Sequence, residues 1–202
     1  MNILFVRHGK DSDQHRGGWS QLDLLPEGKR EAKMLADYLV QHKEDYHFTK
    51  MITSDLKRAE TTATILVEAL QLPLEKESSL RETNNGDLAG MLNSEADQKF
   101  PRLYFRSLAM DEHYPNGESP GEFYQRIKTW FQRFLQENDD SDETQIVVTH
   151  GGVINIIYHL VNQIEWTNKS NLFHVKHCSI SLLNTKTLAF EVENQTDFLE
   201  EK

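Results

Sequence analysis

The sequence contains a single cysteine, Cys178, among its 202 residues. One thiol can form neither an internal disulfide nor a thiolate metal cluster, so neither is expected. Long apolar runs are also missing, since no stretch approaches the roughly 20 residues that a helix needs to span a bilayer. Residues 1–5 carry no basic segment or cleavage site of the kind that directs secretion. We therefore expect a cytoplasmic protein without a membrane partner.

Basic residues are scarce as well. The chain has 22 lysines and arginines against 32 acidic residues, which gives a formal net charge of −10. This balance argues against nucleic acid as a partner, because nucleic-acid binding depends on neutralising phosphates with cations. A small anionic ligand is still possible, since screening over about 8 Å leaves local arginines to decide its binding. The sequence carries no indication of an oligomeric state.

Apolar segments of strand type alternate with amphipathic segments of helix type, and 38% apolar residues suffice for a core. The predicted strands are 2–7, 50–53 and 145–149, and the predicted helices are about 27–43, 56–70 and 152–163. Residues 179–183 and 188–192 flank a turn and predict a terminal hairpin. The acidic run 138–143 predicts an exposed loop. We predict one α/β domain over residues 1–202, a three-layer sandwich with a mostly parallel central sheet flanked by helices.

The segment between Gly86 and Gly121 has weaker periodicity than the rest of the chain. Glycine, proline and aromatic residues are mixed there with charged ones. We interpret it as an insertion that covers a functional site. Just before it, Leu80-Arg81-Glu82 is interpreted as the end of a strand.

Two short motifs at opposite ends of the chain place a histidine after an apolar strand and before glycine. They are Arg7-His8-Gly9 and Thr149-His150-Gly151. Ligands of open α/β sheets bind outside the carboxyl ends of the strands, so we expect both imidazoles to meet in one pocket. Arg7 adds a cation, and a helix starting near Gly151 offers unpaired amides to an anion. A phosphoryl group is the ligand that these features favour.

Four sequence blocks together resemble the histidine phosphatase superfamily, the phosphoglycerate mutase-like enzymes. The blocks are Arg7-His8-Gly9, Ser54-Asp55-Leu56-Lys57-Arg58-Ala59-Glu60-Thr61-Thr62, Leu80-Arg81-Glu82 with Gly86 and Gly90, and Thr149-His150-Gly151-Gly152. They occur in the order and spacing of that family. The resemblance implies a phosphoglycerate mutase-like fold and phosphoryl chemistry, and we expect no cofactor.

The roles of individual residues follow from phosphoryl-transfer chemistry and from the resemblance. A neutral imidazole can attack phosphorus and hold the phosphoryl group covalently, which we assign to His8. Arg7 and Arg58, together with His150 and the Gly151 amide, are expected to bind the phosphoryl oxygens. The resemblance assigns proton transfer to Glu82. Lys57, beside Arg58, is expected to be a solvated helix residue.

Some positions depart from the family pattern. An asparagine that bonds the phosphoryl oxygens in relatives is replaced here by Gln14, whose amide can still donate. The Gly117-Glu118-Ser119 segment resembles a further family loop near the substrate, so Glu118 and Ser119 are candidate substrate-binding residues. No metal site is expected, because the histidines lack the paired helical spacing of zinc ligands. His174 and His177 are interpreted as surface or packing residues.

Three functions are compatible with these residues. We favour a phosphatase that acts on a small-molecule phosphomonoester, because the insertion is more aromatic than basic and its Arg102 and Arg106 are not adjacent. A cofactor-dependent phosphoglycerate mutase is the alternative, although the chain is shorter than typical mutases. A non-catalytic phosphate-binding module is the third reading, and it would need neither His8 nor Glu82.

Overall fold

Strands and helices alternate through most of the chain, which a computed structural model describes at residues 1–137, 143–170 and 172–200. The elements in chain order are β1 (Asn2–Arg7), α1 (Pro26–Gln41), α2 (Lys43–Tyr46), β2 (Phe48–Thr53), α3 (Lys57–Leu70), β3 (Leu74–Lys76), α4 (Asn93–Lys99), α5 (Pro120–Glu137), β4 (Thr144–Thr149), α6 (Gly151–Val161), β5 (Ile180–Asn184) and β6 (Ala189–Gln195). Pro26 opens α1, where its missing amide costs no helical hydrogen bond.

The strands form one six-stranded sheet in the order β3-β2-β4-β1-β5-β6. Strands β1 to β4 run parallel, whereas β5 is antiparallel to β1 and β6 is antiparallel to β5. The predicted mostly parallel sheet and the predicted terminal hairpin are therefore confirmed. In the central pair, Arg7 of β1 is in register with Thr149 of β4. This register brings the residues that follow the two strands to the same edge of the sheet.

Helices cover both faces of the sheet, and alternation along β1 shows how the layers divide. Ile3 and Phe5 pack against α5 and α6, whereas Leu4 and Val6 pack against α1 and α3. All four side chains have no exposed surface, which is typical of a strand buried between two helical layers. The predicted three-layer α/β sandwich is confirmed.

Helix α5 was not predicted from the sequence. Its buried residues Phe123, Ile127, Trp130 and Phe134 recur at helical spacing and join the core on the α6 face. The spacing was therefore available as a signal, but the neighbouring aromatic insertion obscured where it began. Strand β3 was also missed, because its three residues are all exposed and carry no apolar pattern.

Two other predicted features differ from the structure. Leu80-Arg81-Glu82 is not a strand end, because a 3₁₀ turn at Ser78–Leu80 leads directly into an irregular loop. The predicted acidic loop 138–143 lies outside the described residues except for Glu143. Within the segment 86–121, α4 is accompanied by a small apolar cluster of Leu88, Leu108 and Tyr114. In the ranges that the structure describes, no helix combines the length and the apolar character needed to cross a bilayer.

Candidate active site

The carboxyl ends of three neighbouring parallel strands bring His8, Ser54 and His150 together. The His8 amide donates to the Thr149 carbonyl at 3.0 Å, and the Ser54 amide donates to the Val148 carbonyl at 3.0 Å. The rings of His8 and His150 have their centroids 5.1 Å apart. The sequence prediction that the two imidazoles share one pocket agrees with this geometry.

The hydrogen bonds of His8 fix the position of its proton. Its Nδ1 lies 2.8 Å from the Gly9 carbonyl oxygen, which can only accept, so Nδ1 carries the hydrogen. The lone pair is then on Nε2, which accepts from Arg58 Nε at 3.3 Å. Burial and the positive charge of Arg58 hold the pKa of His8 well below its ordinary value. His8 therefore presents a neutral imidazole with an available lone pair.

His150 is equally buried, and one of its ring nitrogens is unsatisfied. Its Nε2 lies 2.8 Å from Ser54 Oγ, whereas its Nδ1 has no hydrogen-bond partner among the described residues. Burial and the charges of Arg58 and Arg7 lower the pKa of His150 well below its ordinary value. A buried polar atom without a partner is unusual and is typical of a functional site.

Arg58, in the first turn of α3, is held in one orientation by backbone carbonyls. Its Nη2 donates to the Gly18 oxygen at 2.8 Å, and its Nη1 donates to the Ser20 oxygen at 3.1 Å. The third nitrogen, Nε, faces His8 and lies 3.4 Å from Asp11 Oδ2. Burial lowers the pKa of Arg58, but a guanidinium stays charged in proteins. The neighbouring Lys57 is exposed, as predicted.

Arg7 lies on the other side of the histidine pair. Its Nη1 donates to the Val175 oxygen at 2.5 Å, and its Nη2 donates to His177 Nε2 at 2.7 Å. Its Nε is buried and, in the part of the chain that is described, has no hydrogen-bond partner. A methyl group on Gly151 would lie 3.4 Å from this nitrogen, so Arg7 Nε lies beside the first residue of α6. Arg7 Nε can only donate, and His150 Nδ1 donates in the tautomer whose Nε2 accepts from Ser54 Oγ, so both atoms then suit an anion.

Asp11 and His177 also belong to this cluster, although the sequence analysis did not assign either of them to it. His177, predicted to be a surface or packing residue, is partly exposed and packs its ring against His8, with the two ring centroids 5.6 Å apart. Its Nε2 is 3.6 Å from Asp11 Oδ1. Burial raises the pKa of Asp11, but the contact with His177 and the charges of His8 and Arg58 lower it to about 2. No local motif surrounds His177, so only the folded chain reveals its position.

Ligand atoms of His8, Asp11 and His177 lie within 4.8 Å of one another, a grouping that could hold a metal ion. The arginines argue against a cation there. Arg58 faces both His8 and Asp11, and Arg7 donates to His177. A cation bound by these three groups would replace the arginine contacts while remaining beside two positive charges. The geometry favours an anion instead.

Glu82 reaches the cluster through the first turn of α6. Its Oε2 accepts from the Gly152 amide at 3.0 Å, and its Oε1 accepts from the Thr83 amide at 3.0 Å. A Cβ atom on Gly152 would overlap the Glu82 carboxylate, so glycine is required for this approach. The helix terminus that was expected to bind an anion thus holds this carboxylate with one of its amides.

The backbone of Glu82 is fixed by two side chains that the sequence analysis did not single out. Trp19 Nε1 donates to the Glu82 carbonyl at 2.7 Å, and Arg126 Nη2 donates to it at 3.2 Å. Arg126 Nη1 also donates to the carbonyls of Ser79 and Arg81, at 2.8 and 2.9 Å. The loop that carries Glu82 is therefore anchored to α5. Recognising α5 in the sequence was necessary before Arg126 could be noticed.

The predicted substrate-binding residues Glu118 and Ser119 have their polar groups engaged elsewhere. Glu118 Oε1 accepts from Arg126 Nη2 at 2.6 Å and from the Asn84 amide at 2.7 Å. Ser119 forms a reciprocal capping box with Glu122 at the start of α5. The described contacts therefore give both residues a structural role. Gln14 is exposed, and its described hydrogen bonds, with Ser12 and Asn93, are made by backbone atoms.

A cavity of about 290 Å³ adjoins the cluster. Arg7, Glu82 and Gly151 line its inner side, and Phe105 and Trp166 contribute to its wall. The cluster and this cavity together form a positively charged site that suits an anion. A carboxylate lies at its edge, and the cavity has space for a small organic group.

A family model described as "Histidine phosphatase superfamily (branch 1)" matches residues 3–197. The chain belongs to the histidine phosphatase superfamily. A phosphoglycerate mutase-like protein 4 of Arabidopsis thaliana is 34% identical over 163 residues, which are 77% of this chain and 69% of the relative. Phosphoserine phosphatase 1 of Hydrogenobacter thermophilus is 30% identical over 156 residues, 74% of this chain and 71% of the relative.

Solved structures of other proteins share this fold. The structure of Bacillus stearothermophilus YhfR superposes with a TM-score of 0.83 at 22% identity, covering 98% of this chain and 99% of that one. The four sequence blocks that carried the resemblance converge on one site. His8, Arg7, Arg58, His150 and Glu82 lie around it.

Proposed function

We propose that the protein is a phosphomonoester phosphatase that works through a covalent phosphohistidine on His8. The observation that carries this proposal is the neutral imidazole of His8, whose Nε2 lone pair lies beside the fixed cation of Arg58. A neutral imidazole is nucleophilic, and the surrounding cations stabilise the negative charge of a transferring phosphoryl group.

In the first step, His8 Nε2 forms a bond to phosphorus while the bond from phosphorus to the ester oxygen breaks. We assign the equatorial oxygens to Arg7 Nε and His150 Nδ1, which have no partner among the described residues, and to Arg58, whose Nε faces the attacking His8 Nε2. The protonated Glu82 carboxyl gives its proton to the leaving oxygen. The Gly152 and Thr83 amides orient that carboxyl group.

In the second step, Glu82 is ionised and takes a proton from water. The oxygen of this water attacks the phosphohistidine, the N–P bond breaks, and inorganic phosphate leaves with His8 neutral again. The same carboxyl group therefore acts first as an acid and then as a base. No step requires a metal, since arginines and imidazoles supply the positive charge and the donors.

A phosphoglycerate mutase is the second candidate, because a relative that is 34% identical bears a mutase-like name. Mutase and phosphatase share the first step and differ in the acceptor of the phosphoryl group. In the segment 86–121, Arg102 and Arg106 are separated by apolar and aromatic residues. We favour water as the acceptor, because this segment does not bring two adjacent arginines to a second phosphate.

The test is a measurement of both products with one purified preparation. Inorganic phosphate release from a panel of phosphomonoesters should be rapid, should persist after exhaustive treatment with a chelator, and should vanish in His8→Ala. Interconversion of 2- and 3-phosphoglycerate with a bisphosphorylated primer should be slower than phosphate release. Faster isomer interconversion would favour the mutase. Phosphate binding without either reaction would indicate a binding module.

A further inference from the structure

A second and larger cavity, of about 710 Å³, lies beside the candidate active site. Its wall is mainly apolar and aromatic, formed by Leu88, Leu103, Tyr104, Phe105 and Tyr114. Leu88 and Tyr114 belong to the buried apolar cluster within the segment 86–121. Aromatic side chains arranged around a cavity of this size suit a flat apolar group.

Two polar atoms in this apolar cavity have no partner within the ranges that the structure describes. They are Arg16 Nε and Thr83 Oγ1, which are buried atoms of two residues that line the cavity. The Arg16 side chain is nevertheless fixed, because its Nη2 donates to Asp97 Oδ1 at 2.6 Å and its guanidinium lies 4.3 Å from the Tyr104 ring centre. Arg16 Nε can only donate, so a ligand atom that reaches it must be an acceptor.

The cavity adjoins the groups that would act on the ester bond. Thr83 lies on its wall, and the Thr83 amide donates to Glu82 Oε1 at 3.0 Å. Gly18 also lies on its wall, and the Gly18 carbonyl accepts from Arg58 Nη2 at 2.8 Å. The two cavities also share Phe105 and Arg106 as lining residues, so an alcohol whose oxygen stands beside Glu82 lies next to this space.

The smaller cavity beside Arg7 is less suited to an organic group with polar atoms. Asn155 on its wall already donates to the Phe173 oxygen at 2.8 Å and accepts from Trp166 Nε1 at 3.1 Å. Asn168 already donates to the carbonyls of Phe105 and Leu108. Arg7 Nε, a buried donor on that side with no partner among the described residues, would be taken by the phosphoryl oxygens.

We infer that the larger cavity binds the alcohol part of the substrate, and that this alcohol carries an aromatic or similarly flat apolar group with an acceptor oxygen. This inference rests on the proposed phosphatase function. Ring stacking on Tyr104 and Phe105 would hold the group. Arg16 and Thr83 would select molecules that carry a polar oxygen on it.

The first test compares three esters of primary alcohols, so that the ease of breaking the ester bond is nearly constant. Ethyl phosphate lacks the ring, benzyl phosphate has it, and 4-acetylbenzyl phosphate adds an acceptor oxygen. We expect kcat/KM to rise at least tenfold from ethyl to benzyl phosphate, and again for the acetyl compound. Arg16→Met should reduce the ratio of kcat/KM values for 4-acetylbenzyl and benzyl phosphate more than the ratio for benzyl and ethyl phosphate.

Two tryptophan variants, one inside the cavity and one outside it, form a matched pair that tests whether the cavity holds the substrate ring. Leu103→Trp should lower the benzyl-to-ethyl ratio at least tenfold, because the indole occupies the space of the substrate ring. Met110→Trp adds the same group at an exposed position of the same segment and should keep the wild-type ratio. Calorimetry on the wild-type protein needs no variant, and benzylphosphonate should bind at least tenfold more tightly than ethylphosphonate.

The outcomes separate this inference from the proposed function. Equal kcat/KM values for ethyl and benzyl phosphate, with phosphate released from both, would overturn the inference and leave the phosphatase intact. An unchanged benzyl-to-ethyl ratio in folded Leu103→Trp would do the same. No phosphate release from any ester would overturn both.

Discussion

Glu82 and Gly152 are joined by a hydrogen bond of 3.0 Å that only glycine permits, because a side chain at position 152 would occupy the space of the Glu82 carboxylate. The contact places an acidic residue of the loop that follows Ser78–Leu80 on the first turn of α6. It also links the proposed proton donor to the strand end that carries His150.

This contact predicts the effect of a methyl group at position 152. In Gly152→Ala the displaced atoms are the end of a side chain, so the fold should survive while the carboxylate moves away from the ester oxygen. We expect kcat for alkyl phosphates to fall roughly 100-fold, within the range for loss of a general acid. The kcat of Gly151→Ala should fall less, because its Cβ atom would lie 3.4 Å from Arg7 Nε, which is an ordinary van der Waals distance. Equal losses in both variants would contradict the role of the contact.

The proton-donor role of Glu82 predicts a dependence on the leaving group. In Glu82→Gln, single-turnover phosphorylation by an alkyl phosphate should slow roughly 100-fold or more, whereas the step with p-nitrophenyl phosphate should slow less than about tenfold. A nitrophenolate leaves almost unaided, but an alkoxide needs the proton. Equal slowing of this first step with both esters would leave Glu82 as a water-positioning or structural residue.

The Glu118–Arg126 pair, at 2.6 Å, predicts a structural rather than a substrate-binding role for Glu118. Glu118→Gln removes the charge and keeps the shape, so the free energy of unfolding should fall by roughly 2 kcal/mol, and kcat should fall because the Glu82 loop loosens. KM should change less than about twofold, because a structural role gives Glu118 no contact with the substrate. Denaturant unfolding and steady-state kinetics measure both effects. A large rise in KM with unchanged stability would restore Glu118 as a substrate contact.

Much of this arrangement could be predicted from the sequence, because the histidines, Arg7 and Arg58 lie in or directly after strands and helices with clear periodicity. The register of β1 with β4 then brings His8 to His150 without any further information. Arg126, Trp19 and His177 could not be predicted. Arg126 and His177 lie far from His8 along the chain and Trp19 lies in the loop before α1, and no local pattern tells which side chain of α5 or of a loop points inward. Glu118 and Ser119 were predicted from a likeness to a family loop, whereas in the structure Ser119 caps α5 and Glu118 accepts from Arg126.

The lowered pKa values of His8 and His150 predict a loss of stability in mild acid. In the unfolded chain both histidines gain protons as the pH falls below about 6.5, whereas burial and Arg58 keep them neutral in the folded protein. Each histidine should then reduce the free energy of unfolding by at most about 1.4 kcal/mol per pH unit. His8→Gln should flatten the slope between pH 6.5 and 5, and His174→Gln, at an exposed position, should not. A slope unchanged by His8→Gln would contradict this explanation.

The central claim is that phosphate is carried on Nε2 of His8, because Nδ1 is occupied by its hydrogen bond to the Gly9 carbonyl at 2.8 Å. The direct measurement is to mix Glu82→Gln with p-nitrophenyl phosphate, quench the reaction in alkali, and identify the phosphorylated residue by phosphorus NMR and peptide mapping. This variant should accumulate the intermediate, since Glu82 also activates the water of the second step. We predict a phosphohistidine at residue 8 substituted on Nε2. Phosphate on Nδ1, on another residue, or nowhere despite nitrophenolate release would contradict the mechanism.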